Sequence, residues 1–262
     1  MSVTIKPDQS FFHSLADIAG ETVLPFFRRS IVIENKEQDD FDPVTEADRE
    51  AERRMREMIA GTFPEDGILG EEFESERLDA DGLWVLDPID GTRAFISGLP
   101  VWGTLIGYRH MDGTHMGMMS QPFTSERYFG DGKQSFYVGP GGKRAIESRS
   151  CASLSDATLF TTTPTLFNEQ ERAAYDKVEA ACRLPRYGVD CYAYCMVALG
   201  MADIVIETAL KPVDIAPLIP VVEGAGGIVT NWQGGSAFDG GQVVASGDKD
   251  LHEQVLEMLT SG

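Results

Sequence analysis

The chain has 262 residues, of which 42% are hydrophobic and 24% are charged, and these values are typical of a globular protein. A chain of this length buries a core that needs neither disulfides nor a structural metal. Its formal net charge of −20 excludes nucleic acid and anionic membranes as expected partners, because both are bound by basic surfaces.

Cysteine usage and targeting features predict a cytoplasmic protein. The four cysteines do not have zinc-site spacing, and Cys191 and Cys195, one helical turn apart in an apolar stretch, are expected to be buried thiols. The sequence begins without the basic and apolar segments of a signal peptide, and its apolar runs are shorter than a membrane span. The excess of acidic residues indicates either ordinary solubility or acidic clusters that bind a metal ion or a cationic substrate.

In chain order, the first elements are helical and the next are strands. Hydrophobic residues recur with helical spacing over 8–30, and a short strand is predicted at 31–34. A second helix is predicted from Thr45 to about Gly61, because Thr45 to Asp48 has the form of a capping box. Apolar runs between glycines and prolines then predict strands near 67–70, 83–86, 102–108 and 116–119, followed by a hairpin across Asp131-Gly132 that joins 125–130 and 135–139.

The second part of the chain alternates strands with helices, which is typical of a layered α/β arrangement. Strands are predicted at 158–161, 204–207 and 227–230, and helices at 168–181, 192–200, 215–225 and 248–259. The glycine-rich segment Gly139-Pro-Gly-Gly142 is the predicted boundary between an N-terminal half, residues 1–139, and a C-terminal half, residues 140–262. Most predicted metal ligands lie in the first half, and the second completes the site.

Two aspartates follow a predicted buried strand in the segment Leu83-Trp-Val-Leu-Asp87-Pro-Ile-Asp90-Gly-Thr92. Pro88 keeps Asp87 out of a helix, and Gly91 and Thr92 lie at a predicted helix N-terminus. Unpaired amides at such a terminus suit a phosphate group, and carboxylates suit Mg²⁺, a hard cation that prefers oxygen ligands. The segment therefore predicts a metal ion and a phosphate group at one place.

Both aspartates have an alternative interpretation as turn residues, since Asp-Pro and Asp-Gly pairs are common in turns. Other acids also lie at the ends of predicted elements: Glu71, Glu72, Asp48 and Asp214. The two glutamates could be solvated, and the two aspartates could cap helices. A metal site is favoured because it accounts for all of these positions together.

These residues resemble the inositol monophosphatase superfamily. The resemblance lies in Glu71-Glu72, in Asp87-Pro-Ile-Asp90-Gly-Thr92, and in Asp214 followed by an apolar helix that ends at Glu223-Gly-Ala-Gly-Gly227, and it spans nearly the whole chain. It implies a mixed α+β and α/β fold layered as an αβαβα sandwich, dependence on Mg²⁺, and a homodimer.

The resemblance also implies a metal ligand for each acidic position. One Mg²⁺ would be held by Glu71, Asp87 and the main-chain carbonyl of Ile89. A second would be held by Asp87, Asp90 and Asp214, with Asp87 shared between the two ions. The electrostatics agree with this assignment, because carboxylates crowded together repel one another unless cations neutralise them.

Catalytic roles follow from the same resemblance. Thr92 and Asp48 would orient the attacking water, and Glu71 completes the catalytic set. Phosphoryl transfer depends mainly on positioning and charge stabilisation, so a covalent nucleophile is not required. The residues predicted to contact the substrate are Asp90, Gly91, Thr92, Asp190, Glu207 and Asp214.

Three segments resemble the histidinol-phosphate phosphatase branch: residues 92–106, residues 188–194 and Lys211-Pro-Val-Asp214. Histidinol phosphate carries an ammonium group, whereas inositol is neutral. Asp190 and Glu207 would pair with that cation if they line the pocket, a contact worth about 1.5–3 kcal/mol. Asp190 could instead be an ordinary helix N-cap, and Glu207 could be a surface residue.

Three functions follow from these observations. The first is Mg²⁺-dependent hydrolysis of histidinol phosphate, a small phosphorylated alcohol, as a step of histidine biosynthesis. The second is hydrolysis of inositol 1-phosphate or a related ester. The third is an inactive metal-binding or interaction protein, against which the complete set of acidic residues argues.

Overall fold

The computed structural model describes residues 6–29, 33–35 and 43–261, with the backbone alone described for 33–35 and 43–45. Within these ranges the helices are α1 (Gln9–Val23), α2 (Glu46–Thr62), α3 (Thr92–Ile96), α4 (Glu169–Ala181), α5 (Cys191–Ala198), α6 (Pro212–Ile215), α7 (Ile219–Gly224) and α8 (Lys249–Thr260). The strands are β1 (Ile33–Asn35), β2 (Pro43–Thr45), β3 (Gly67–Gly70), β4 (Gly82–Asp90), β5 (Gly103–His110), β6 (His115–Gln121), β7 (Glu126–Gly130), β8 (Ser135–Gly139), β9 (Gly142–Ile146), β10 (Thr158–Thr161), β11 (Leu184–Tyr187), β12 (Ile204–Leu210), β13 (Ile228–Asn231) and β14 (Gly241–Ser246).

The described strands form two large sheets and one small antiparallel pair, β1 with β2. The first large sheet contains β3 to β9 in sequence order; β3 and β4 are parallel and the remaining pairs are antiparallel. The second has the order β11-β10-β12-β14-β13, with β10 parallel to β11 and β12, and β14 antiparallel to both of its neighbours.

Side-chain alternation along the strands explains how helices cover both sheets. In the seven-stranded sheet, Ile106 and Met118 pack with α1 and α2, whereas Leu105 and Met119 point the other way, into a core shared with α5 and α7. The five-stranded sheet closes that shared core from the other side, and its outer face packs with α4 and α8. The predicted αβαβα sandwich is therefore confirmed.

A close backbone approach fixes the middle layer against the seven-stranded sheet. A Cβ atom at Gly117 on β6 would lie 1.8 Å from the carbonyl oxygen of Pro217, so only glycine allows the turn between α6 and α7 to rest there. The single helix predicted over 215–225 is wrong for the same region, because Pro217 lacks the N–H that a continuous helix needs.

Other predictions differ from the structure at element ends. Helix α1 ends at Val23 rather than at residue 30, next to Pro25. Four strands, β2, β9, β11 and β14, were not predicted from the sequence. The strand predicted at 31–34 lies partly outside the described residues, and so does the side chain of Thr45 in the predicted capping box.

The predicted boundary segment Gly139–Gly142 is a hairpin turn that joins β8 to β9 within one sheet. The division of the chain into residues 1–139 and 140–262 stays a prediction. Across the described residues, no helix has both the length and the apolar character needed to span a membrane.

Candidate active site

Asp87 and Asp90 lie on the last part of β4, where the strand is irregular. The pairing of β4 with β5 shifts register between these two aspartates, and the hydroxyl of Thr104 donates to the carbonyl oxygen of Pro88 at 2.8 Å. The N–H of Ile89 donates to Oδ1 of Asp87 at 3.1 Å. The irregular end of one strand therefore supplies two carboxylates, those of Asp87 and Asp90.

A third carboxylate joins them from α6. Oxygen atoms of Asp87, Asp90 and Asp214 all lie within 4.8 Å of one another. Asp214 is held by the N–H of Lys211, which donates to its Oδ2 at 2.7 Å. Three of the five predicted metal ligands are thus brought together, two from the first sheet and one from the middle layer of helices.

The electrostatics of this group favour a bound cation. Asp87 is 1% exposed, and its pKa is raised well above the usual range by burial and then by the charges of Glu71, Asp90, Asp48 and Asp214. Burial likewise raises the pKa of Asp90, helped by Asp190 and Asp214 and opposed by the Cys191 N–H. A divalent cation would stabilise these ionised carboxylates, so the donor set fits a metal of the hard, oxygen-binding kind.

Glu71 and Asp48 lie at the edges of this group. Glu71 follows β3 and lines the same pocket, where its Oε1 accepts a hydrogen bond from Nζ of Lys211 at 3.0 Å. Asp48 is 1% exposed in the first turn of α2, and it is close enough for its charge to raise the pKa of Asp87. Both predicted catalytic acids therefore act electrostatically on the central aspartate.

Thr92 and Gly91 begin α3 beside the group. Gly91 occupies the N-cap position with a φ of 78°, a conformation that favours glycine. The hydroxyl of Thr92 donates to the carbonyl oxygen of Ile89 at 3.0 Å. The side chain of Ile89 is fully buried, so any contribution of this residue to a ligand is through its main chain.

All of these groups except Asp48 line one cavity of about 450 Å³. The predicted residues in its lining are Glu71, Asp87, Ile89, Asp90, Gly91, Thr92, Asp190, Glu207 and Asp214. A second cavity of about 460 Å³ lies between 78–83 and 109–115, but the carboxylate group is not part of its lining. The first cavity is therefore the candidate active site.

Asp190 lies at the wall of this cavity in an unusual backbone conformation, with φ 41° and ψ −131°. It occupies the N-cap position of α5, yet its side chain makes no capping hydrogen bond; Oδ2 of Asp90 accepts from the Cys191 N–H instead, at 2.9 Å. Burial raises the pKa of Asp190 to about 6, against the opposing effects of Arg93 and Thr162. The alternative that Asp190 is a helix N-cap is therefore correct for its position, but the capping hydrogen bond is made by Asp90.

Glu207, in the middle of β12, forms a second acidic wall. It is 2% exposed and accepts hydrogen bonds from the Thr162 N–H at 2.6 Å and from the Thr161 hydroxyl at 3.2 Å. Burial raises its pKa to about 8 despite these donors. The alternative of a surface position is wrong, because Glu207 is buried and lines the cavity.

A family model described as the inositol monophosphatase family matches residues 5–261. The chain belongs to the inositol monophosphatase family. The predicted resemblance is confirmed, and the phosphatases among the relatives support a phosphoric monoester hydrolase.

Relatives in this family carry several names. The chain is 42% identical to a bifunctional phosphatase, IMPL2, of Arabidopsis thaliana, over 94% of this chain and 73% of that protein. It is 32% identical to a histidinol-phosphatase of Chlorobaculum parvum, over 98% of each. A solved inositol monophosphatase from Zymomonas mobilis is 43% identical with a TM-score of 0.84, over 95% of this chain and 96% of that chain. Similarity to the histidinol-phosphatase branch is confirmed.

Among the residues that line this cavity, sequence reasoning did not assign Arg93, Tyr194 and Lys211 to the site. Tyr194 is 3% exposed, and within the described part of the chain its hydroxyl has no hydrogen-bond partner. The sequence signal that could have found Tyr194 is its spacing from Cys191, which places both residues on one face of a helix. In the structure, the Cys191 N–H donates to Asp90 in the same cavity. A comparable signal for the Lys211 side chain is lacking, because its contact with Glu71 joins positions 140 residues apart.

Proposed function

We propose that the chain is a Mg²⁺-dependent phosphatase that hydrolyses histidinol phosphate to histidinol and phosphate by in-line attack of water. The observation that carries this proposal is one cavity with two acidic walls. The group Asp87, Asp90 and Asp214 suits divalent cations, and Asp190 with Glu207 suits the positively charged end of a substrate.

The metal-binding part of the proposal assigns two ions. Glu71, Asp87 and the carbonyl of Ile89 would hold one, and Asp87, Asp90 and Asp214 would hold the other. Bound Mg²⁺ supplies Lewis-acid chemistry: it activates water, polarises the phosphoryl group and neutralises the leaving oxygen. The chain's own contribution is to gather the carboxylates and exclude water around Asp87, which is 1% exposed.

Thr92 and Asp48 would position the attacking water. Because the Thr92 hydroxyl donates its single hydrogen to the Ile89 carbonyl, its oxygen lone pairs remain able to accept a hydrogen bond from water. A buried carboxylate at Asp48 could accept the other water hydrogen or a proton. Gly91 and Thr92, at the start of α3, would contact the phosphate group.

Charge complementarity favours histidinol phosphate. Glu207 is buried with a pKa raised to about 8, so a neighbouring ammonium would favour its ionised form and gain a charge-assisted hydrogen bond. Asp190, with a pKa of about 6, offers a second acceptor in the same cavity. A neutral polyol would bring no cation to Glu207, and Asp190 would keep only the nearby charge of Arg93.

Inositol 1-phosphate is the second candidate substrate. The 43% identical solved relative is an inositol monophosphatase, and the hydroxyl groups of Thr162 and Thr208 in the cavity lining could bind a polyol. We further propose that the protein is a cytoplasmic homodimer that acts in histidine biosynthesis.

A panel of phosphate esters tests the proposal. Histidinol phosphate, inositol 1-phosphate and glycerol 1-phosphate are assayed with saturating Mg²⁺ and with EDTA. We expect a kcat/KM for histidinol phosphate at least roughly 10-fold above the others, because one charge-assisted contact is worth about 1.5 kcal/mol or more. Equal kcat/KM values would contradict the substrate, and undiminished hydrolysis in EDTA would contradict the metal dependence.

A further inference from the structure

Lys211 contacts two of the carboxylates proposed as metal ligands. It lies in the turn between β12 and α6, where its backbone N–H donates to Oδ2 of Asp214 at 2.7 Å. Its side chain lines the cavity, and Nζ donates to Oε1 of Glu71 at 3.0 Å. Asp214 is thus held by the main chain of Lys211, and Glu71 by its ammonium group.

The two contacts differ in how readily they can be broken. The Lys211 side chain is 56% exposed and flexible, whereas the Glu71 side chain is 14% exposed. An ion pair with one solvated partner is weak, so the ammonium can leave Glu71 for water at small cost. The backbone hydrogen bond to Asp214 is unaffected by such a movement.

A divalent cation at Glu71 would compete with this ammonium. The ammonium and the metal ion would share one carboxylate, and two positive charges so close together repel each other. We propose that Lys211 is a positioning residue that acts as a built-in competitor of the metal ion at Glu71. It keeps Glu71 directed into the cavity and weakens metal binding at that carboxylate. The inference rests on the metal site of the proposed function.

Calorimetric titration of the whole protein with Mg²⁺ alone provides the test. In Lys211→Met, which keeps the length of the side chain and removes its charge, we expect the weaker site to bind roughly 2- to 5-fold more tightly. In Lys211→Arg the affinity should stay near that of the wild type. Lys143→Met serves as the matched control, since Lys143 is exposed and contacts Gln9 far from the cavity.

Thermal unfolding gives a second readout that does not depend on activity. In EDTA, Lys211→Met should unfold about 1–3 °C below the wild type, because Glu71 loses its counter-ion, and its gain on adding Mg²⁺ should be larger. Unchanged or weaker Mg²⁺ binding in Lys211→Met, with normal binding in the wild type, overturns the inference alone. Absence of any Mg²⁺ heat in the wild type overturns the proposed function itself.

Discussion

Oδ2 of Asp90 accepts a hydrogen bond from the backbone N–H of Cys191 at 2.9 Å. One carboxylate therefore ends a strand of the first sheet and also caps helix α5 of the middle layer, 101 positions further along the chain. Its second oxygen remains available to a metal ion. The same side chain thus has a structural contact and a proposed catalytic one, and substitution can separate them.

Asp90→Asn should keep the fold and lose most activity. Asparagine retains an oxygen that accepts from the Cys191 N–H, but it lacks the negative charge that a metal ion requires. We expect kcat to fall by at least the roughly 10- to 100-fold typical of altered metal environments. The measurement is kcat at saturating Mg²⁺, with Tm and circular dichroism to follow the fold.

The control for this substitution is Asp239→Asn, which removes the same charge from an exposed position outside the cavity lining. Near wild-type turnover is expected there. If Asp90→Asn also turned over at the wild-type rate, the assignment of Asp90 to a metal ion would be wrong.

Asp87→Asn should raise stability in EDTA while it removes the response to Mg²⁺. The pKa of Asp87 is raised by burial and by neighbouring carboxylates, so its favourable contribution is present at low pH and is lost as pH rises through the raised pKa. At pH 8 the neutral asparagine avoids this loss, and we expect the variant to be more stable than the wild type in EDTA.

Denaturant unfolding at pH 8 with and without Mg²⁺ checks both parts of the Asp87 prediction. Wild-type protein should gain about 2.7 kcal/mol when Mg²⁺ reaches 100 times its Kd, and Asp87→Asn should gain much less. A variant less stable than the wild type in EDTA would contradict the view that Asp87 is electrostatically strained.

Asp190→Asn should discriminate between substrates. Asparagine tolerates the positive φ of this position, so the backbone at the start of α5 is kept while the charge is removed. We expect KM for histidinol phosphate to rise roughly 10-fold or more, as for the loss of one charge-assisted contact, and KM for glycerol 1-phosphate to change little. Equal shifts in both KM values would assign Asp190 a structural role only.

His252 should make the protein less stable in acid. It is 3% exposed between Ser246 and Thr230, and burial lowers its pKa from 6.5 to about 4. The unfolded chain therefore binds an extra proton between these pH values. The stabilising contribution of neutral His252 is fully present above pH 6.5 and is lost as the pH falls towards 4. The slope from one proton is at most about 1.4 kcal/mol per pH unit.

Denaturant unfolding of the wild type and of His252→Gln across pH 4–7 tests this prediction. The variant should be less stable at pH 7, because a buried hydrogen-bonded side chain is altered, but its stability should decline less steeply in acid. Parallel pH profiles would show that other groups cause the decline.

The sequence predicted the layered fold and the central carboxylates better than it predicted their surroundings. Asp87 and Asp90 were found because both belong to one short segment. Asp214 was found because it directly precedes a predicted apolar helix. The contact between Lys211 and Glu71 depends on how two distant turns meet in space. Periodicity describes single elements, so it cannot give such a pairing.

Local rules also failed where tertiary contacts override them. Asp190 has the residue type and position of an N-cap, yet Asp90 supplies the hydrogen bond at that helix end. The exposed edge strand β9 and the short strand β11 have little apolar signal, because few of their side chains are buried. The break between α6 and α7 was readable from Pro217, since proline interrupts a helix by its covalent structure.

The carboxylates at the ends of β3 and β4 meet Asp214 and the start of α5 only after the middle helical layer has docked between the sheets. A refolding intermediate with one formed sheet would therefore be spectroscopically structured but unable to turn over substrate. Recovery of enzymatic rate after dilution from denaturant should lag behind recovery of the far-ultraviolet signal, and the delay would report the time taken to join the layers.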